Sequence, residues 1–361
     1  MITDAARAVA LLAAKRSELP LGEPSFRPKD RYNSLPFSTQ NFRLIVPKSD
    51  GKIAFVDGGN LPLIKAPSFA VHFERVCHNC FDGDKRAKLP LPNKVEFFVV
   101  VTSSGDGDEI AYKAEYIPFD EKNRKFLPDE KDLAFDSYDE TMRTGSEQME
   151  IPRVGDVARS FAEWKLAGLV AGELESGDVF VRDGTLHAPY TNESKYAEEA
   201  YAAARKNGVL FSGVSKTSHL YTTSGLPLVA AISRLAREAK VKPPWYYENI
   251  VTITDPAHKA DLNFAKLNAS SDYVFRVEVL RGQEAGKQKV MSALAANSRD
   301  ISFPGYPYGL VDADKSARVS YDEVDAIKLL LFSEISKGKD FGKFGDLLAA
   351  SDAHDFLNRM V

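Results

Sequence analysis

Three acidic residues stand where the backbone pattern changes. Asp57 closes the apolar run Ile53-Ala54-Phe55-Val56 and is followed by Gly58-Gly59-Asn60. Asp183 closes Val179-Phe180-Val181-Arg182 and is followed by Gly184-Thr185. Glu163 lies between them inside a long helical pattern. Apolar runs are normally buried, so a carboxylate at the exit of one is expected at a sheet edge. Carboxylates gathered at one point repel, and a divalent cation held through hard oxygen donors is the common remedy. Two cations about 3.5–4 Å apart can supply an in-line water and stabilise a leaving oxygen, which is the chemistry of phosphodiester hydrolysis. Gly58, Gly59 and Gly184 would let a substrate backbone come close to the acids without side-chain obstruction. Taken singly, the acids have plainer readings: Asp-Gly is a common turn dipeptide, and a helical glutamate is usually solvated.

The elements that must position these acids follow from periodicity. Strands are expected at 52–57, 67–76, 94–102 and 110–117, the last two joined by the turn Ser104-Gly105-Asp106-Gly107. Residues 118–150 are polar and acidic and read as an excursion. A helix is expected from Val154 to Leu174, with Val157, Phe161, Trp164, Gly168 and Ala171 on its core face. A strand at 178–183, a helix near 192–206 stopped by Asn207-Gly208, and a strand at 209–214 come next. Later segments read as a helix at 226–239, strands at 248–255 and 272–280, and helices near 285–297 and 308–318. Ser320 with Glu323 forms a capping box opening a helix over 321–336. Three adjacent strands followed by strands joined through helices predict an α/β fold with a mixed sheet flanked by helices. That is the order of the ribonuclease H-like fold, with an N-terminal arm and extra helical elements. Three regions are expected: a helix and irregular arm at 1–50, a catalytic domain at 51–320, and a helical tail at 321–361.

Composition sets wider limits. The 361 residues are 44% hydrophobic and 27% charged, the balance of a globular protein, and the length suits about two structural units or one large domain with additions. No apolar stretch approaches the ~18 residues of a membrane helix. Met1 to Ser17 lacks the basic start and long apolar core of a secretion signal, so no membrane contact and a cytoplasmic address are expected. A net charge of −4 does not advertise a nucleic-acid binder, yet a local basic channel is compatible with it. Cys77 and Cys80 have the spacing of half a zinc site or a redox pair, with His72 and His78 nearby, but read first as ordinary strand cysteines.

Four segments carry a resemblance: Phe55-Val56-Asp57-Gly58-Gly59-Asn60; Glu163 one helix before Val181-Arg182-Asp183-Gly184-Thr185-Leu186; Gly213-Val214-Ser215-Lys216-Thr217-Ser218; and Gly305-Tyr306-Pro307-Tyr308-Gly309-Leu310. In order and spacing, from about Ile53 to Ser320, they resemble the NurA nucleases. The resemblance implies a DNA nuclease dependent on Mn²⁺ (or Mg²⁺, two ions) with a ribonuclease H-like core. It further implies single-strand endonuclease and 5′-to-3′ exonuclease activity, and a homodimer that docks on HerA, a hexameric ATPase that translocates DNA during end resection. Defence against foreign DNA is an alternative setting.

Carried over by position, Asp57, Glu163 and Asp183 are the metal-binding acids and Tyr306 is the family's late tyrosine. The family has a histidine eight residues after that tyrosine, following an alanine; here Ala313 is followed by Asp314. Aspartate can ligate the same cations but removes a group that titrates near neutrality. Asp312 is the alternative ligand. Lys216 is expected to meet a phosphate, Tyr306 to stack on a base or bond a phosphate, and Gly58 and Gly59 to line the DNA. His187 and His219 lie near these motifs.

Two competing functions are a catalytically inactive adaptor bracing a translocase ring and an actin-like ATPase. The ATPase expects a later Gly-Gly motif that the chain lacks. The arm from Leu19 to Phe42 and the amphipathic tail with Phe341, Phe344, Leu347, Leu348, Phe356 and Leu357 are expected to pack on a partner or on the chain itself.

Overall fold

The computed structural model describes residues 2–17, 19–106, 109–143, 145, 147–301 and 303–337. It is an α/β protein whose large mixed sheet is flanked by helices, as the element order predicts. The chain opens with α1 (Ile2–Ser17) and the short strands β1 (Pro24–Ser25), β2 (Tyr32–Ser34) and β3 (Phe42–Leu44). The long strands β4 (Lys52–Ala66), β5 (Phe69–Asp82), β7 (Lys94–Asp106) and β8 (Glu109–Pro118) follow, with β6 (Lys85–Arg86) and β9 (Ala134–Asp136) as short additions. Then come α2 (Pro152–Glu173), β10 (Val179–Asp183), α3 (Glu193–Asn207), β11 (Leu210–Ser215), β12 (Tyr221–Thr222) and α4 (Leu228–Glu238). The last elements are β13 (Trp245–Tyr247), β14 (Val251–Ile253), β15 (Ala260–Lys266), β16 (Phe275–Leu280), α5 (Lys287–Asn297), α6 (Tyr308–Ala317) and α7 (Tyr321–Lys337).

The chain forms two compact units. One comprises Gly51–Val181, Ala188–Val209 and Gly309–Val361. Its strands lie in the order β10-β4-β5-β7-β8-β9, antiparallel from β4 onward. Residues paired across antiparallel strands share a face, so the β4–β5 register assigns the faces. Gly58, Asn60, His72 and Glu74 lie towards α2: Asn60 Nδ2 donates to Asp156 of α2 at 2.8 Å, and Gly155 of α2 packs on the His72 ring. Phe55, Gly59, Arg75 and Asn79 lie towards α6 and α7. Asn79 donates to the Gly309 carbonyl at 2.8 Å, and Arg75 donates to the Arg318 carbonyl at 2.7 Å.

Pro152 at the first turn of α2 suits its missing N–H, and Gly208 ends α3 in the left-handed conformation with its N–H bonded to two carbonyls of the last turn. Ser320 caps α7 by accepting from the Glu323 N–H at 3.2 Å. The Glu323 carboxylate turns to Arg75.

The other unit comprises Met1–Asp50, Arg182–His187 and Leu210–Tyr308. Its strands run β3-β13-β15-β16-β11, all antiparallel, with the side pairs β1–β12 and β2–β14. Phe26, Leu228, Ile232, Trp245, Tyr247 and Phe264 anchor its core.

The structure departs from the expected elements in three places. β4 does not stop at Asp57: Gly58, Gly59 and Asn60 pair with Val76, Arg75 and Glu74, so the strand runs on to Ala66 and Asp57 is internal. The arm at 18–50 contains three short paired strands, and its Phe26, Phe37 and Phe42 pack into the core. β13 and β15 lie where no strand is expected; β13 has three residues, and β15 interrupts its apolar pattern with Asp261 and a fully buried Asn263. Cys77 and Cys80 are free thiols inside β5, and burial pushes them up to about 12 and about 11. Both are thiols rather than thiolates at neutral pH, as expected of ordinary strand cysteines. The expected tail beyond Lys337 lies outside the described residues.

A methyl group on Gly309 would overlap the buried ring of Phe55. Gly309→Ala is therefore expected to destabilise the protein by about 1–3 kcal/mol, the cost of overpacking a core, seen as a lower midpoint in urea unfolding. An unchanged midpoint would show that α6 is free to shift off β4.

Candidate active site

Asp57 sits in β4 between the buried run Ala54-Phe55-Val56 and Gly58-Gly59. Its Oδ1 accepts from the Gly58 N–H at 2.7 Å, which restrains the carboxylate beside the strand. Asp314 lies on α6 and takes an ion pair from Arg318 one turn later at 2.9 Å. Asp183 is the last residue of β10, two residues past Val181, so a short continuous strand carries it. Asp57, Asp183 and Asp314 each present a carboxylate oxygen, and these oxygens lie within 4.8 Å of one another.

That spacing fits a divalent cation. Oxygen ligands on one ion lie about 2.0–2.6 Å from it, so a pair of them is at most about 5 Å apart. Three half-buried carboxylates this close also need positive charge nearby to remain ionised together. The donor set is all oxygen, which suits Mn²⁺ or Mg²⁺ rather than a thiolate-seeking metal.

The turn behind Asp183 is built around backbone. Gly184 has φ +114°, a conformation open to glycine, and its N–H donates to the Val214 carbonyl at 2.9 Å. Gly213 has no room for a side chain, since a Cβ would lie 2.6 Å from the Gly184 carbonyl oxygen. The Arg182 guanidinium donates to the Thr185 carbonyl at 2.8 Å. The Leu186 N–H donates to the buried carboxylate of Glu278 at 2.6 Å. Burial alone would raise the Glu278 carboxyl, but Arg276, His258 and the Leu186 N–H together hold it well below the usual carboxylate range. Tyr32 completes this chain by meeting His258 Nδ1 at 3.0 Å.

The remaining expected residues fall at several places. Lys216 follows β11, and its ammonium lies 2.7 Å from Asp183 Oδ2. Glu163 is 2% exposed on α2, ion-paired with Arg159 one turn earlier, and packed where a Cβ on Gly58 would lie 2.5 Å from its Oε1. It is outside the three-acid group. Gly58 and Gly59 are filled against by protein: Glu163 beside one, the Ala317 carbonyl beside the other. Asp312 is engaged by Asn79 at 2.7 Å and Arg86 at 2.8 Å and is outside the three-acid group. Tyr306 is 3% exposed and packs on Phe275 with ring centroids 5.0 Å apart. His187 packs on His258, and desolvation lowers it to about 4, so it is neutral at pH 7. His219 is exposed.

Two residues near Asp57 escaped the sequence reading. Arg159 donates to the Gly58 carbonyl at 3.4 Å and pairs with Glu163. Its guanidinium is stabilised first by Glu163 and then by Glu74 and Asp57, despite burial. Glu74 is 0% exposed, and neither carboxyl oxygen has a hydrogen-bond partner among the described residues. Burial raises it well above its ordinary value; Arg159 opposes this, and Asp156 and Glu163 add to it. Spacing i, i+4 between Arg159 and Glu163 was the available signal for the first. Nothing in the sequence distinguishes Glu74 from a solvated strand residue.

A raised carboxyl binds its proton more tightly in the folded than in the unfolded state. Glu74 therefore lowers stability progressively as pH rises above the unfolded value near 4.5. Glu74→Gln is expected to be more stable than the parent at pH 8, with the gain shrinking towards pH 5. The slope is at most about 1.4 kcal/mol per pH unit. Thermal midpoints of both proteins across this range test it, and parallel profiles would show that Glu74 is ionised.

Comparison with known proteins adds the following. The NurA domain family model matches residues 51–319. No curated protein matches the chain in sequence. Among solved structures, the NurA nuclease from Sulfolobus solfataricus is 12% identical with a TM-score of 0.48, covering 93% of this chain and 96% of that one. The Argonaute of A. aeolicus is 11% identical with a TM-score of 0.29, covering 75% of this chain and 29% of that one. The Kluyveromyces polysporus Argonaute with a guide RNA is 11% identical with a TM-score of 0.28, covering 75% and 26%.

Proposed function

The chain belongs to the NurA family, and we propose that it is a metal-dependent deoxyribonuclease that hydrolyses phosphodiester bonds at DNA ends. The observation that carries this reading is the group of three carboxylates, Asp57, Asp183 and Asp314, inside the matched region. Asp57, Asp183 and Asp314 are the proposed ligands of Mn²⁺ or Mg²⁺, two ions in all. When bound, the metal supplies a polarised phosphate and an activated water. Asp314 stands at the family's histidine position, so the proposed site closes with carboxylate.

The chain's own residues complete the proposal. Lys216 offsets charge at Asp183 and offers an ammonium to a phosphate oxygen. Glu163 is the fourth proposed ligand, and its carboxylate must leave Arg159 to serve. Glu74 lies in the same charge group and is available to Arg159 when that happens. Gly58 and Gly59, expected to line the DNA, are covered by Glu163 and the Ala317 carbonyl, and Tyr306 is buried, so the proposed DNA contact is Lys216. With an aspartate replacing a histidine, the activity is expected to lack a titration near pH 6.5 arising from position 314.

The substrate is proposed to be single-stranded DNA, cut internally and degraded 5′ to 3′. The proposed assembly is a homodimer on a HerA-type hexameric ATPase, acting in the cytoplasm in end processing or in defence against foreign DNA.

Purified protein with Mn²⁺ is expected to degrade a labelled single strand. Asp57→Ala and Asp183→Ala are expected to lower the rate by about a thousand-fold, the equivalent of several kcal/mol of lost charge stabilisation. A chelator should abolish cleavage, and added Mn²⁺ should restore it. Absence of cleavage with every divalent metal, with and without the ATPase, would sink the enzyme reading. Glu163→Gln separates the ligand role from the structural one: a ligand role raises the Mn²⁺ concentration needed for half-maximal rate, whereas a purely structural role moves the melting midpoint alone.

A further inference from the structure

Two exposed aromatic rings stand over two buried ones in the unit that carries Tyr306. Tyr273 is 57% exposed and Phe303 is 39% exposed. Their ring centroids are 5.3 Å apart at an interplanar angle of 30°. Behind Tyr273 lies Phe275, stacked at 6.1 Å and 22°, and behind Phe303 lies Tyr306, edge-on at 6.1 Å and 82°. Phe275 and Tyr306 pack on each other at 5.0 Å. The four rings are thus one cluster with a buried floor and an open top.

The open rings are held in place by backbone. The Tyr273 N–H donates to Ser271 Oγ at 3.1 Å, which shapes the approach to β16. Gly305 has φ +95°, and a side chain there would overlap Ser271. Only a glycine lets the segment bearing Phe303 and Tyr306 close on the segment bearing Tyr273. Two large aromatics left open on fixed backbone amount to a preformed apolar surface.

We propose that Tyr273 and Phe303, backed by Phe275 and Tyr306, form a stacking platform for the nucleobases of a single DNA strand. This rests on the nuclease reading, which makes a DNA strand the ligand of the protein. Every base offers a π face, so a platform of this kind takes an unpaired strand without regard to sequence. A paired duplex keeps its bases stacked inside and does not engage it. Neither ring carries a charge. The platform therefore adds stacking and leaves the salt dependence of binding, set by phosphate contacts, unchanged.

The test uses the full chain in a chelator, which removes cleavage and leaves binding, and a single strand carrying 2-aminopurine, whose emission falls on stacking. The wild type is expected to quench the probe, and a strand with abasic sites is expected to bind about ten-fold or more weakly than the intact strand. The double variant Tyr273→Ala/Phe303→Ala is expected to lose the quench and about ten-fold or more in affinity, with an unchanged salt slope. Phe303→Trp is expected to retain both. Equal affinity of the wild type for intact and abasic strands would overturn the platform without any variant needing to fold. So would an unaltered quench in a folded double variant.

Cleavage with Mn²⁺ is read separately. A wild type that cleaves yet fails both binding tests loses the platform and keeps the nuclease reading. A wild type that quenches the probe but never cleaves keeps the platform and loses the nuclease reading.

Discussion

The thinness of β4 at Gly58 and Gly59 is the constraint on which the catalytic region depends. Successive residues of a strand point to opposite faces, so these two glycines thin the sheet on both sides immediately after Asp57. On one face α2 brings Glu163 against Gly58; on the other, the end of α6 brings the Ala317 carbonyl against Gly59. Gly309 repeats the device by letting the start of α6 lie on Phe55. Side chains at these points would lift the helices away, and with them Glu163 and Asp314. The glycines that first suggest room for substrate are the places where the protein's own layers meet.

Close layers concentrate charge, and the structure answers with cations near the acids. Lys216 meets Asp183, Arg318 meets Asp314, and Arg159 meets Glu163. Each pair comes from spacing or packing in its own unit. The exception is Glu74, whose carboxyl has no hydrogen-bond partner among the described residues and is raised by burial well above the ordinary carboxylate value. Burial without a hydrogen-bond partner favours the neutral form of a carboxyl, and Arg159 opposes it only in part. Around Asp183 the answer is different: Glu278 stays ionised because Arg276, His258 and a backbone N–H all face it, and it in turn anchors the turn after the aspartate.

Most of the architecture was legible from periodicity. α2, β10, α3, β11, α5, α6 and the start of α7 lie within a few residues of where apolar spacing and glycine stops put them. The failures have physical causes. A strand boundary at Asp57 follows from Asp-Gly-Gly as a local turn signal, but pairing with β5 on one side and helices on both faces override it. β13 is too short to show a period, and β15 buries Asn263, which donates to Asp261 at 3.0 Å and so tolerates a position that the pattern marks as solvent.

The amino-acid sequence by itself determined the α/β class, the order of the strands and helices, the family-like segments, and the acids with the right chemistry for a hard cation. Those features are local or follow from spacing along the chain. Only the tertiary structure decided which acids stand together. Asp314 joins Asp57 and Asp183, Asp312 is drawn off by Asn79 and Arg86, and Glu163 is held by Arg159. The reason is that a carboxylate's neighbours are set by which faces of β4 the helices cover and by which cation reaches it first. Both depend on contacts between residues far apart in sequence.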